Sequence, residues 1–400
     1  MKPLAPVSIT GMGCLCAAGA DVETCMKFLF KGERHPAPPS GFSIQSAVSY
    51  PVFEAPDDFF APSMFRDPPG VRASQLLLTA VLEALNDAEV SRDILKEKRV
   101  GVCIGTNVGG SISNKDISGR NENRSPSLLP FERFLAASPV YHVTREFELS
   151  GPFQTIVNAC SAGADAIGIG ASWIRSGLCD MVIAGGADAL YKITYMGFIS
   201  LMNSDDGPCK PFDVQRKGLN LGEGAGVMIL ESEEMRQERK KSPRAFVRGY
   251  GSGTDAFHFT APAPDGRGLM LAIEEAAASS GIAVSDLAFI NAHGTGTPNN
   301  DLIESQVFAE KLPGIPFFST KGYVGHTLGA AGAIEAIFTI GCLEQKRIPL
   351  SAGFTDPDPD LPVSPVREIT PVQGSSALSD TLAFGGNNAV LILSLERGAS

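Results

Sequence analysis

Short runs of β-branched and aliphatic residues recur along the chain, each bounded by glycine or polar residues, and longer alanine-rich stretches lie between them. The first pattern predicts strands at 7–9, 100–104, 155–158, 181–184, 226–231, 245–249, 288–292, 316–319 and 389–393. The second predicts helices at 73–87, 162–176, 268–280, 303–310 and 330–345. Such alternation points to α/β layers with largely parallel strands. The charged run 231–241 reads as a solvated helix or its exit, and the proline-rich stretches 36–39, 55–69 and 356–365 read as loops. No run of about 18 apolar residues occurs, so no transmembrane helix is expected.

An echo joins the two halves of the chain. A strand, a reactive residue and an alanine/glycine-rich helix follow one another at Cys160 and again at His326. This suggests a duplicated fold with its joint after Glu231, near 236–243: residues 1–240 carry the cysteine and residues 241–400 the two histidines. A chain of 400 residues with 44% apolar and 19% charged residues has enough core for two packed units. The opening stretch resembles a secretory signal only superficially. Two prolines, three glycines and one basic residue make a poor signal core, and 7–13 reads better as a buried strand with a glycine turn. A cytoplasmic protein is expected.

A net charge of −11 argues against nucleic acid or an acidic membrane as partner. The eight cysteines are scattered as reduced thiols rather than spaced as a disulfide framework, and Cys14 and Cys16, with CxC spacing and no histidine nearby, give no reason to expect a metal site.

Three residues set far apart carry the chemistry. Cys160, in Asn158-Ala159-Cys160-Ser161-Ala162-Gly163, occupies a strand-to-helix elbow, where a helix N-terminus favours thiolate and lowers the pKa from about 8.5. His293 ends a strand and enters the loop Gly294-Thr295-Gly296-Thr297-Pro298. His326 precedes a helix expected to start near Thr327, whose N–H groups disfavour imidazolium. A thiol can carry an acyl group, and two neutral imidazoles can hydrogen-bond an enolate oxygen as a carboxylate leaves. Lys321 and Glu335 have the spacing of an ion pair bracing the histidines, or of two unrelated surface charges. The backbone N–H of Phe384, in Ala383-Phe384-Gly385-Gly386, is a candidate to complete an oxyanion hole with that of Cys160. His35, His142 and His258 have no comparable setting.

Taken with Leu221-Gly222-Glu223-Gly224, Pro211-Phe212-Asp213, Ser319-Thr320-Lys321 and Gly325-His326-Thr327-Leu328-Gly329, these motifs resemble, from end to end, the β-ketoacyl-acyl carrier protein synthases of the thiolase superfamily, above all their type II elongating branch. The resemblance implies a thiolase-like five-layer αβαβα fold of two duplicated halves. It implies a homodimer, or a heterodimer with a chain-length factor. It further implies that Cys160 accepts an acyl chain from acyl carrier protein, that His293 and His326 assist malonyl decarboxylation, and that Lys321 and Glu335 brace them. Phe384 would gate the cysteine, Val108 and Phe198 would bound the acyl pocket, and Thr295 and Thr297 would flank the pantetheine arm. No metal or resident cofactor is implied, since phosphopantetheine arrives on the carrier protein.

Departures from the housekeeping pattern bear on the partner: Lys115, Arg120, Arg124 and Arg133 in the 110–151 loop, Asn299-Asn300-Asp301, Asn387, and a sparse basic cluster around Arg66 and Arg72. They admit a dedicated carrier protein of a polyketide or polyene pathway. A chain-length factor would lack Cys160, and a degradative thiolase would use a second catalytic cysteine with one histidine. A cysteine hydrolase would leave His326, Lys321 and Glu335 unexplained. A carrier-binding module without catalysis is the weakest alternative.

Overall fold

The computed structural model describes residues 3–44, 48–66, 68–107 and 138–398. Val108, Lys115, Arg120, Arg124 and Arg133 lie outside the described residues.

Among the described residues ten strands are hydrogen-bonded in the order β3-β2-β4-β5-β1-β6-β12-β11-β7-β8. They are β1 (Val7–Cys16), β2 (Val100–Gly105), β3 (Phe153–Ile156), β4 (Met181–Asp188), β5 (Gly224–Glu231), β6 (Ala245–Thr254), β7 (Ile290–Ala292), β8 (Phe317–Ser319), β11 (Ser376–Ala383) and β12 (Asn387–Ser394). Short β9 (Arg347–Ile348) and β10 (Thr370–Pro371) form a separate pair.

The order is the same pattern written twice. Read from its outer edge, the N-terminal half runs 3-2-4-5-1 and the C-terminal half runs 8-7-11-12-6, and each has two parallel pairings followed by two antiparallel ones. The halves meet where β1 and β6 pair over only three residues, from Val7 with Val247 to Ile9 with Ala245. The duplication expected from the sequence is therefore present, but each half is mixed rather than largely parallel.

The helices are α1 (Val22–Lys31), α2 (Arg72–Asp87), α3 (Arg92–Glu97), α4 (Pro139–Glu146), α5 (Ala162–Arg175), α6 (Lys192–Ser200), α7 (Glu233–Glu238), α8 (Arg267–Ser280), α9 (Pro298–Lys311), α10 (Lys321–Val324) and α11 (Ala331–Gln345). Helix α7 is the solvated helix read from the charged run.

Layering follows from which faces are apolar. In α11 every residue from Ala331 to Leu343 is buried, and α5 buries ten of its positions and leaves only a narrow stripe at Ile169, Ser172 and Trp173 less covered. These two helices share one core with the inner faces of both half-sheets. Helix α2 buries one stripe against the outer face of the N-terminal half, and α8 does the same on the C-terminal half with α9 beside it. Helix, sheet, paired helices, sheet, helix is the thiolase-like αβαβα architecture.

Small residues let the central helices meet. A side chain at Gly163 would lie 2.7 Å from Gly329 O and 3.1 Å from Ala333 N, so the start of α5 fits against the turn after His326 only without one. Among the described residues no helix is long and apolar enough to cross a membrane.

Candidate active site

Cys160 stands between β3 and α5, on the backbone corner whose counterpart in the other half, between β8 and α11, carries His326. The residue before the cysteine, Ala159, is held at φ 48°, a left-handed conformation that non-glycine residues adopt at a cost. A buried carboxylate fixes this elbow. Asp165, in the first turn of α5, accepts from Asn158 Nδ2 at 2.6 Å and Ser161 Oγ at 2.8 Å, so both shoulders of the corner are tied to one side chain. Its other oxygen accepts from Tyr250 OH at 2.8 Å, and Tyr250 belongs to β6 of the opposite half.

His326 follows a turn at Gly325 with φ 67°, where a side chain would strike Phe53 Cδ2 at 2.7 Å and Leu221 O at 2.9 Å. The loop is pinned by His326 N–H to Asn220 O at 2.8 Å, and by Gly222 N–H to His326 O at 2.9 Å. The imidazole Nε2 lies 2.9 Å from Cys160 Sγ. Leu328 N–H donates to Nδ1 at 3.3 Å, which places the ring proton of the neutral form on Nε2, facing the sulfur.

His293 arrives on β7. Its Nδ1 accepts from Lys321 Nζ at 2.9 Å, so its Nε2 also carries the proton. The two rings meet edge to face, with centroids 5.3 Å apart. Lys321 is buried and all three of its protons have acceptors: His293 Nδ1, His293 O at 2.6 Å, and Glu335 Oε1 at 2.5 Å. The Lys321–Glu335 pair is thus an internal ion pair directly behind His293, not two surface charges.

These residues open onto a cavity of about 210 Å3, lined by Cys160, His293, His326, Phe198, Thr295, Thr297 and Phe384, with Asn203, Asn299 and Asn300 among its polar walls. Phe198 stacks on Phe384 with centroids 5.4 Å apart. Thr295 and Thr297 share a 2.8 Å hydroxyl hydrogen bond. His35, His142 and His258 do not line the cavity. Arg72 is engaged elsewhere, its Nε and Nη2 both on Glu223, and Arg66 pairs with Glu148.

The electrostatics correct two expectations. Burial pushes the Cys160 thiol up to about 11, against the opposing pull of the Lys321 charge and the Phe384 backbone N–H. Loss of water thus outweighs the stabilisation of thiolate expected at this elbow. His326 is kept neutral, but first by burial and then by the Lys321 charge. The regular helix starts only at Ala331, with a 3-10 turn at Leu328–Ala330 intervening, so His326 does not sit directly at its first turn. His293 is lowered by burial, Lys321 and His326. Burial raises Glu335 to about 7, with Lys321 pulling it down.

Sequence reasoning missed a set of buried acids beneath the histidine loop. Glu304 on α9 accepts Gly294 N–H at 2.9 Å and Asn300 Nδ2 at 2.7 Å. Asp301 accepts the N–H groups of Phe212 at 2.7 Å and Gly296 at 3.1 Å, and burial raises it to about 6. Asp380 on β11 is buried beside Glu304, and neither of its oxygens nor Glu304 Oε1 has a donor among the described residues. Two facing carboxyls without donors require a shared proton. The signal for Asp301 and Glu304 was their place in the first turns of the helix after the loop. Asp165 and Asp188 offered none. Asp188 receives Thr106 Oγ1 at 2.7 Å, Asn107 N–H at 2.8 Å and Gly329 N–H at 2.8 Å, joining the end of β2 to the histidine turn.

A strained cysteine elbow facing two imidazoles that present N–H groups, in one cavity of a thiolase-like fold, is the equipment of a carbon–carbon condensing enzyme. Comparison with known proteins agrees. The model of the beta-ketoacyl synthase N-terminal domain matches residues 4–236, that of the C-terminal domain matches residues 244–355, and the chain belongs to this family. It is 34% identical over 412 residues to 3-oxoacyl-[acyl-carrier-protein] synthase 2 of Staphylococcus aureus (strain COL), covering 96% of this chain and 97% of that protein. The Synechocystis sp. protein of the same description is 32% identical over 410 residues, with 96% and 97% covered. Among solved structures, the ishigamide ketosynthase/chain length factor is 30% identical with a TM-score of 0.89, covering 98% of this chain and 99% of that one. A ketosynthase in complex with its chain length factor from Xenorhabdus doucetiae is 28% identical with a TM-score of 0.84, covering 98% of each.

Proposed function

We propose that the protein is a β-ketoacyl-acyl carrier protein synthase, which joins an acyl group held on Cys160 to the two-carbon unit of malonyl-acyl carrier protein. The reaction would serve fatty acid or related polyketide and polyene synthesis. The observation that carries this reading is the meeting of Cys160 Sγ, from one half of the chain, with His326 Nε2, from the other, at 2.9 Å, beside a His293 whose Nδ1 lies 2.9 Å from Lys321 Nζ.

In the first half-reaction Cys160 attacks the carbonyl of an acyl-carrier thioester. The backbone N–H groups of Cys160 and Phe384 receive the oxyanion, and the cysteine proton ends on the departing pantetheine thiol. In the second, malonyl thioester loses carbon dioxide, and its enolate oxygen accepts Nε2–H from both His293 and His326. Neutral rings donate without giving up their proton, and burial keeps both neutral. The enolate carbon then attacks the Cys160 thioester. The new carbon–carbon bond forms as the sulfur leaves and recovers a proton from solvent.

Lys321 and Glu335 orient His293. Phe384 and Phe198 close over the cysteine, and Phe198 bounds the acyl chain. Thr295 and Thr297 line the pantetheine channel, and the enzyme needs no resident cofactor or metal for this cycle. Division of labour follows the two halves, 1–240 and 241–400.

The partner is an acyl carrier protein, and the chain pairs with a second ketosynthase-like subunit, a copy of itself or a chain-length factor. Support for pairing comes from the outer edge strand β3, where Phe153 and, just beyond it, Val157 are 65% and 68% exposed.

Mass spectrometry of protein incubated with acyl-carrier substrate tests the reading. A thioester on Cys160, followed by β-ketoacyl product and carbon dioxide once malonyl-carrier protein is added, is expected. Full condensation by Cys160→Ala would refute it. Loss of decarboxylation beyond loss of acyl transfer is expected in His293→Ala and His326→Ala.

A further inference from the structure

The corner between β1 and α1 holds a cluster that the condensing reaction does not use. Cys14 and Cys16 close β1, and Cys25 reaches back to them from α1. The three sulfurs lie within 4.8 Å of one another and all three side chains are buried. The spacing of Cys14 and Cys16 alone gave no reason to expect a site. The third sulfur comes from the fold.

Three observations go beyond chance packing of thiols. The Cys16 and Cys25 sulfurs are 3.8 Å apart, and ligand sulfurs at about 2.3 Å from a tetrahedral metal stand about 3.8 Å apart. The turn after Cys16 is closed by Cys16 N–H to Gly19 O and Gly19 N–H to Cys16 O, each at 3.0 Å, and Cys25 Sγ lies 3.5 Å from the same Gly19 O, so strand end, turn and helix hold the sulfurs together. Beside the cluster, Glu83 accepts the backbone N–H of Cys14 and of Val22, each at 2.8 Å, and so ties the end of β1 to the start of α1.

We propose that Cys14, Cys16 and Cys25 form a binding site for a thiophilic divalent metal ion of the zinc class, which staples the end of β1 to α1. Soft thiolates select such ions over magnesium or calcium. Charge decides within the soft set: three thiolates leave −1 on a divalent ion but −2 on a monovalent one, and the smaller residual charge is easier to bury. Binding displaces the thiol protons to solvent and involves no redox step.

The test uses the full-length protein expressed in zinc-supplemented medium, with the metal measured by elemental analysis after gel filtration. One zinc per chain is expected in wild type and equally in Cys160→Ser, which keeps the cluster and removes the reactive thiol. Cys16→Ser and Cys25→Ser should retain none, an affinity loss larger than the ~10–100-fold that outer-sphere partners contribute. Addition of Cd2+ should give a thiolate-to-metal charge-transfer band in wild type and Cys160→Ser only. Near-ultraviolet circular dichroism verifies that each variant is folded, and Glu83→Gln, which keeps all three sulfurs, should still bind zinc, more weakly. Absence of zinc and of the band from folded wild type overturns the proposal, as does equal zinc in Cys16→Ser or a band that disappears with Cys160.

Discussion

At the scale of single residues, reactivity here is set by what surrounds each group more than by what the group is. Cys160 is identifiable from its neighbours in sequence, but its acidity is not. Whether burial or the helix end prevails depends on how completely the sulfur leaves water, and burial raises it to about 11. Alkylation by iodoacetamide should therefore climb about tenfold per pH unit from 7 to 9, because each unit below the pKa divides the thiolate fraction by ten. A plateau near neutrality would show that the α5 N-terminus prevails instead. Asp165 was illegible, since an acid amid alanines and glycines carries no sign of the tyrosine it meets across the molecule. Asp165→Asn should lower kcat by on the order of 10²-fold through misplacement of the elbow, with KM for malonyl-carrier protein little changed. Tyr250→Phe should show a weaker loss of the same kind, whereas unchanged kcat in both variants would remove the elbow from the catalytic argument.

At the scale of elements, regular apolar pattern was read well and its interruptions badly. The alanine-rich helices α2, α5, α8 and α11 stand where periodicity put them, give or take a residue. Strand β11 was read only as a short strand before the glycine turn at 383–386 and not from its own pattern, because Ser376, Ser379, Asp380 and Thr381 break the hydrophobic run, although all four are buried. Helix α6 was missed for the opposite reason: Ile193, Thr194, Tyr195 and Phe198 have strand propensity, overridden by the packing of Tyr195 against the loop at Tyr50. The buried acid in β11 has a thermodynamic signature. Burial raises Asp380 above the ordinary carboxylate value, so the native state holds a proton that the unfolded chain releases near pH 4. Its contribution is most favourable below that pH and is lost as pH rises through the native value. Asp380→Asn should flatten the fall in stability between pH 5 and 8 and add about 1–3 kcal/mol at pH 8, measured by urea unfolding. An unaltered slope would mean that Asp380 does not hold the shared proton.

At the scale of the whole molecule, the exposed apolar residues along β3 lead outside the chain. Phe153→Asp combined with Val157→Lys should shift the protein toward monomer in light scattering, and retention of the wild-type mass would locate the partner face elsewhere. The two-half organisation was legible from the repeated strand, reactive residue and helix. The antiparallel pairings were not, because direction depends on connections that residue pattern does not encode. The repeated strand order has a further consequence. Cys160 and His326 occupy equivalent corners, so a precursor made of two identical halves would have set like against like across its axis: thiol facing thiol, or imidazole facing imidazole. Neither combination pairs an acyl acceptor with a proton donor. Within one chain each corner can change without changing its twin, and the proposed chemistry uses that broken symmetry.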